Sequence, residues 1–285
     1  MSKEPHVTDY DVRSLYLDLI RGNLTRYGMP ERMPAEWTLR RRLYFKTLNR
    51  MMVRVGAHRL ARATPNENRS TLVQHKRDLG IDWPAEAETM IGMQRLTSLQ
   101  QCVETVLAED IPGDLIECGV WRGGACILMR AVLAAYGDQS RSVWVADSFQ
   151  GLPPADPDNY IADKGLRTQS LAGILGVSET EVRANFERYG LMDDQVRFLP
   201  GWFKDTLKDA PIDRIAVLRI DGDLYESTIQ ALDALYPRLS PKGFCIIDDY
   251  HDLEPCRQAV TDYRAEHGIT AEIVDIDGTA VLWRK

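Results

Sequence analysis

Leu115-Ile116-Glu117-Cys118-Gly119-Val120-Trp121-Arg122-Gly123-Gly124 is a short apolar run that ends in an acid and breaks at glycines. Apolar residues then return at helical spacing in Ala125-Cys126-Ile127-Leu128-Met129-Arg130-Ala131-Val132-Leu133. The pattern predicts a strand, a tight turn and a helix. Such a turn presents backbone N–H groups and bare glycine Cα atoms at the carboxyl end of a strand, where a nucleotide-like ligand can approach closely. The glycine spacing is G-x-x-x-G-G and departs from the G-x-G-x-x-G of dinucleotide binders. A carboxylate at Glu117 would repel a pyrophosphate and suit an ammonium group, such as that of a methionine-derived cofactor. An ordinary Gly-rich strand-to-helix turn gives the same pattern, so this stretch alone leaves both readings open.

Upstream, residues 10–27 carry Val12, Leu15, Tyr16, Leu19 and Ile20 as an amphipathic helix ending near Gly28. From Arg40 to Arg62 eight cations occur with no intervening acid, interleaved with Leu43, Tyr44, Leu48, Met51, Met52, Val55 and Leu60. A basic amphipathic segment of this kind can meet a membrane surface, an acidic partner or a second copy of the chain, or form a solvated helix face. Pro65-Asn66-Glu67-Asn68 reads as a loop, residues 69–79 as a helix up to Gly80, and residues 87–108 as a helix with one apolar stripe. The organisation expected is a helical extension or cap over 1–85 and a larger domain over 86–285, with a homodimer formed through the N-terminal helices.

Downstream, strands and helices alternate, the signature of a largely parallel α/β sheet. Ser142-Val143-Trp144-Val145-Ala146-Asp147 is the second strand, and its acid falls about 28 residues after Gly119, where a carboxylate commonly takes both ribose hydroxyls of an adenosine cofactor. Asp147 can equally serve as a turn or cap residue. Residues 150–177, rich in Pro, Asp and Gly, make a connection long enough to be a lid or binding loop. Ser178-Glu179-Thr180-Glu181 is a capping box that starts a helix running to Tyr189. Two apolar strands, Ile215–Ile220 and Gly243–Ile247, each end in two acids: Asp221 and Asp223, then Asp248 and Asp249. The helix between them makes them parallel neighbours ending on one sheet edge, with Glu117 and Asp147. Crowded carboxylates need protonation or a cation, and an all-oxygen set suits a hard divalent ion, Mg²⁺ or else Ca²⁺ or Mn²⁺, rather than zinc. Helix capping or salt bridges to arginines would account for some of these acids equally well. Asp277-Gly278 marks a closing hairpin.

With 35 Lys and Arg against 42 Asp and Glu, the net charge of -7 argues against nucleic acid as a partner. The five cysteines are odd in number, contain no C-x-x-C and sit mostly in apolar segments, as expected of reduced core residues in a cytoplasmic protein. No run of about 18 apolar residues occurs, so no membrane span is expected.

From about Thr89 to Trp283 the chain resembles the macrocin O-methyltransferase family, metal-dependent enzymes that use S-adenosylmethionine to methylate sugar hydroxyls of antibiotics such as mycinamicin, tylosin and novobiocin. The resemblance rests on Thr89-Met90-Ile91-Gly92-Met93, Glu117–Ala125, Val143–Gly151, Arg188-Tyr189-Gly190-Leu191, Leu199–Thr206, Asp221-Gly222-Asp223 and Ile246-Ile247-Asp248-Asp249-Tyr250. It implies a class I methyltransferase fold of the Rossmann-like type, a seven-stranded sheet with one antiparallel strand. It implies that Thr89, Met90, Glu117, Gly119, Val120 and Trp121 surround the methionine part of the cofactor. Asp147, Ser148 and Gly151 would lie toward the ribose and adenine, with Trp202 on the adenine side and Asp221 at the cofactor's edge. Asp221, Asp248 and Asp249 would hold Mg²⁺, and Asp223 would be the general base, with Asp221 or His251 as substitutes. The acceptor implied is a glycosylated small molecule. A vicinal aromatic diol is the alternative acceptor, a nicotinamide-dependent oxidoreductase is disfavoured by the glycine spacing and Glu117, and a non-catalytic dimeric binding protein is the reading from another class.

Overall fold

The computed structural model describes residues 11–27, 69–81, 84, 86–166, 168 and 172–285. The basic segment 40–62 and the loop Pro65–Asn68 lie outside the described residues. Seven strands form one sheet: β1 Asp114–Cys118, β2 Val143–Asp147, β3 Val196–Pro200, β4 Ile215–Ile220, β5 Leu239–Ile247, β6 Val274–Asp275 and β7 Val281–Arg284. Their order is β3-β2-β1-β4-β5-β7-β6. The strands from β3 through β5 pair in parallel, and β7 runs antiparallel to both β5 and β6. The expected hairpin around Asp277-Gly278 is therefore the β6–β7 connection.

Alternation along the strands divides the core. Leu115, Val143, Val145 and Val217 face the side covered by α1 (Val12–Leu24), α3 (Met93–Ala108), α4 (Gly124–Tyr136) and α5 (Glu179–Arg188). Ile116, Cys118, Ala146, Leu218, Ile220, Cys245 and Ile247 face the side covered by α6 (Tyr225–Leu235) and α7 (Glu254–Glu266). The remaining long helix, α2, spans Arg69–Leu79. The helix after the glycine turn, α4, is enclosed on nearly every side, with Ile127, Leu128, Met129, Val132 and Leu133 all fully buried. Each such side chain contributes on the order of 1.5–3 kcal/mol of transfer free energy, an upper estimate. Leu17, Ile20 and Leu24 bring α1 into this same cluster.

One expectation is corrected. Residues 87–92 are not helical; α3 begins at Met93, with Gly92 extended ahead of it. Gly80 and Gly92 back onto each other so tightly that a Cβ on Gly80 would lie 2.4 Å from the Gly92 nitrogen. The Glu88 carbonyl accepts the Gly124 amide at 3.0 Å, tying this turn to the start of α4. Met90 and Ile91 imitate helical spacing because one lines a cavity and the other packs in the core.

The five cysteines are free and buried, and burial pushes the Cys102 thiol up to about 12. Among the described residues no helix is long and apolar enough to cross a membrane.

Candidate active site

The strand ends leave the sheet in step. Gly119 N donates to Ala146 O (2.9 Å), Asp221 N to Cys118 O (2.8 Å) and Asp248 N to Ile220 O (2.9 Å). This continuation of the ladder sets Gly119, Asp221 and Asp248 side by side beyond β1, β4 and β5. Gly119 has φ +88, and a Cβ there would meet the Asp221 carbonyl oxygen at 1.9 Å, so only glycine fits. Three non-glycine residues of the same rim also have positive φ: Trp121 at 47, Phe149 at 57 and Asp223 at 61. Backbone strain of this kind concentrates at ligand clamps and active sites.

Above this rim opens a cavity of about 610 Å³. Of the residues expected at a site, Met90, Gly119, Trp121, Asp147, Ser148, Gly151, Trp202, Asp221 and Asp223 line it. Pro153 to Asp158, from the long connection, line it too, as do Lys204, Glu226 and Gln230. Asp147 holds the turns together. Its carboxylate accepts the Val120 amide (2.7 Å) through one oxygen and the Phe149 amide (2.7 Å) through the other. The Ser148 hydroxyl also reaches the second of these oxygens, at 3.5 Å. Burial raises its pKa, against the lowering effect of those amides.

Thr89 and Val120 sit just behind the cavity surface, both buried. The Thr89 hydroxyl accepts the Ile91 amide at 3.2 Å. Glu117 is 2 % exposed, forms an ion pair with Arg219 and accepts the Cys126 thiol at 3.0 Å, and it is not among the residues that line the cavity. His251 is exposed, its Nε2 is 3.0 Å from Asp275 of β6, and its amide donates to Thr279, which turns it toward the hairpin.

Asp221, Asp248 and Asp249 offer oxygens that lie within 4.8 Å of one another. Two arginines that composition alone did not single out brace this cluster. Arg219, 2 % exposed, pairs with Glu117, Asp248 and Asp221, the last at 3.0 Å. Arg95 pairs with Asp248 and, at 2.9 Å, with Asp277. Two guanidiniums thus face Glu117, Asp221, Asp248 and Asp277, while Asp249 Oδ2 is buried with no hydrogen-bond partner among the described residues. Burial, reinforced by Asp248, drives the pKa of Asp221 well up. Burial, with Asp223 and Asp221 beside it, does the same to Asp249. Burial and then Asp248 raise Asp223 to about 6. An unpaired buried oxygen among converging carboxylates is the donor set a hard divalent cation completes, so these residues fit such an ion.

A seven-stranded, mostly parallel sheet with glycine turn and acids at its carboxyl edge defines a class I methyltransferase of the Rossmann-like type. The macrocin-O-methyltransferase (TylF) family matches residues 13–285. The chain is 62% identical over 206 residues to 8-demethyl-8-(2,3-dimethoxy-alpha-L-rhamnosyl)-tetracenomycin-C 4'-O-methyltransferase of Streptomyces olivaceus, covering 72% of this chain and 78% of that protein. It is 54% identical over 218 residues to mycinamicin III 3''-O-methyltransferase of Micromonospora griseorubida, covering 76% and 85% of the two chains. The solved structure of the O-methyltransferase NovP superposes with a TM-score of 0.78 at 46% identity, covering 96% of this chain and 99% of NovP. This chain therefore belongs to the macrocin O-methyltransferase family and is an O-methyltransferase. The family match begins well upstream of Thr89, where the quoted motifs start, so α1 belongs to the shared sequence.

Proposed function

We propose that this chain transfers a methyl group from S-adenosylmethionine to a sugar hydroxyl of a glycosylated natural product, in antibiotic biosynthesis, with Mg²⁺ held by Asp221, Asp248 and Asp249. The observation that carries the reading is the single cavity in which the glycine turn, Asp147 and Trp202 meet the Asp221–Asp223 loop. The activities of the tetracenomycin and mycinamicin relatives support a sugar as acceptor. When bound, the sulfonium cofactor supplies an electrophilic methyl and the cation stabilises negative charge on an acceptor oxygen.

The chain's own residues do the rest. Gly119, Val120 and Trp121, backed by Thr89 and Met90, bound the methionine half, and Asp147, which lines the cavity, accepts from ribose hydroxyls. Ser148, Gly151 and Trp202 bound the adenine half. Asp223 accepts the proton of the attacking hydroxyl, with Asp221 as the alternative base. A bound sulfonium would give its methyl to that oxygen and leave as a thioether, while Asp223 holds the proton until water removes it. The 150–177 connection shapes the acceptor's side and limits water. Residues 1–85 act as a cap, and Val12, Leu15 and Leu19, exposed on α1, suit a contact between two copies of the chain. Buried, reduced thiols suit a cytoplasmic setting.

The test is calorimetric titration with S-adenosylhomocysteine, then incubation with S-adenosylmethionine, Mg²⁺ and a panel holding a rhamnosyl-tetracenomycin, a mycinamicin and a simple catechol. Methylation of a sugar oxygen is expected. Methylation of the catechol alone would overturn the sugar reading, and absence of homocysteine-cofactor binding would overturn methyl transfer. In the active pair, Asp223→Asn is expected to lower kcat by roughly 10²–10⁴-fold, the range for loss of a general base, while S-adenosylhomocysteine affinity stays within about twofold.

A further inference from the structure

The connection between β2 and α5 meets the start of α6 through the Asp163 carboxylate. Asp163 is fully buried. One of its carboxylate oxygens accepts the Tyr225 amide at 2.8 Å and the other accepts the Glu226 amide at 3.0 Å. These are the first two amides of α6, the helix that grows directly from Asp221-Gly222-Asp223, and α6 has no side-chain cap of its own, since Leu224 stands at that position. A carboxylate from more than sixty residues away does the work that a local Ser or Asp does in most helices. The same contact is flanked by Tyr160, whose ring lies 6.1 Å from that of Tyr225 and whose hydroxyl accepts from Gln230 at 3.4 Å.

We propose that Asp163 is a positioning residue that clamps the described strap 152–166 to the acid loop, so that the wall of the cavity and the loop bearing Asp221 and Asp223 hold one fixed relation. Two consequences follow from the geometry. Pro153 to Asp158 line the cavity, and the strap that continues from them is anchored at Asp163. Glu226, whose amide Asp163 holds, is itself 7 % exposed and lines the cavity; its Oε1 accepts from Gln230 at 3.0 Å while its Oε2 has no hydrogen-bond partner among the described residues. The clamp thus fixes a buried carboxylate oxygen in a cavity lining it shares with Asp156 and Lys204. A hydroxyl donor of the bound ligand is the chemistry that completes it.

The test compares amide hydrogen exchange in the full chain and in Asp163→Asn and Asp163→Ala, without ligand, followed by calorimetric titration with S-adenosylhomocysteine. Asn is nearly isosteric and can accept only one of the two amides, so it serves as the conservative variant where Ala destabilises the fold. Exchange in peptides covering 152–166 and 222–228 is expected to rise together by about tenfold or more in Asp163→Ala and by an intermediate factor in Asp163→Asn, with β1 and β2 unchanged. S-adenosylhomocysteine affinity is expected to fall about tenfold in Asp163→Ala and less in Asp163→Asn. A uniform rise across the sheet would show an ordinary structural role, and a rise in one segment without the other would show that the two are not clamped; either outcome overturns the proposal. The affinity arm rests on the methyltransfer reading. Failure of the parent chain to bind S-adenosylhomocysteine would remove that reading alone, since the exchange arm stands without any ligand.

Discussion

Asp249→Asn is expected to abolish Mg²⁺ binding and to lower turnover by about 10³-fold or more, while raising the melting temperature of the metal-free protein. The two halves have one cause. Among the described residues Asp249 Oδ2 is buried with no hydrogen-bond partner, and Asp221, Asp223 and Asp248 act on it. Removing that charge relieves repulsion that burial intensifies. A gain of about 1 kcal/mol corresponds to roughly 2–4 °C in a domain of this size. With Mg²⁺ added the order reverses, because ligand binding stabilises only the chain that can bind. Differential scanning calorimetry with and without Mg²⁺, paired with a Mg²⁺ titration, checks both halves. A variant that keeps the Mg²⁺ heat would place the ion elsewhere, and a lower metal-free melting temperature would show that Asp249 is compensated by a group other than a cation.

Gly119→Ala is expected to unfold the protein about 6–12 °C lower and to eliminate S-adenosylhomocysteine binding. The added methyl would lie 1.9 Å from the Asp221 carbonyl oxygen, and the backbone carries φ +88, which alanine tolerates poorly. Overpacking and strain together cost about 3 kcal/mol. The response cannot be local, since the atom struck belongs to the residue that also offers a carboxylate to the cation site. Gly137→Ala separates the two contributions: Gly137 has φ +70, and a Cβ there would have nothing within 4 Å among the described residues, so its substitution carries strain without a clash. It should cost about 1 kcal/mol and leave cofactor binding intact. Equal losses at both positions, read by thermal unfolding, would show that backbone strain alone sets the penalty.

The sheet edge was readable because each central strand is an apolar run stopped by an acid. Right-handed parallel crossovers leave such acids no other edge to reach. That is why Asp147, Asp221, Asp248 and Asp249 converge as expected. Glu117 sits differently, although its place at a strand tip resembles theirs. It is the penultimate residue of β1, and alternation points it into the core, where it stands in register with Arg219. The signal for that pairing was present, since a lone arginine inside Ile215-Ala216-Val217-Leu218-Arg219-Ile220 can be buried only with acids around it. His251 follows Asp248 and Asp249 in sequence but is carried past the rim by the turn into α7. Arg95 and Asp163 left no usable trace: one is a cation on an amphipathic helix, the other an acid in an aperiodic connection. Their partners lie 153 and 62–63 residues away, beyond anything a local pattern encodes.

The burial of every thiol turns the chain into its own set of clocks. Cys102 sits in α3, Cys118 in β1, Cys126 in α4, Cys245 in β5 and Cys256 in α7, and burial raises each thiol above its ordinary pKa. An alkylating reagent therefore meets no reactive thiolate until a given element opens. Pulse labelling with iodoacetamide, resolved cysteine by cysteine, times the opening of the glycine-turn helix, the central strand and the outer helices separately in one tube. Loss of the Glu117–Cys126 contact beneath the cavity would be recorded as a covalent mark at Cys126, ahead of or together with the other four.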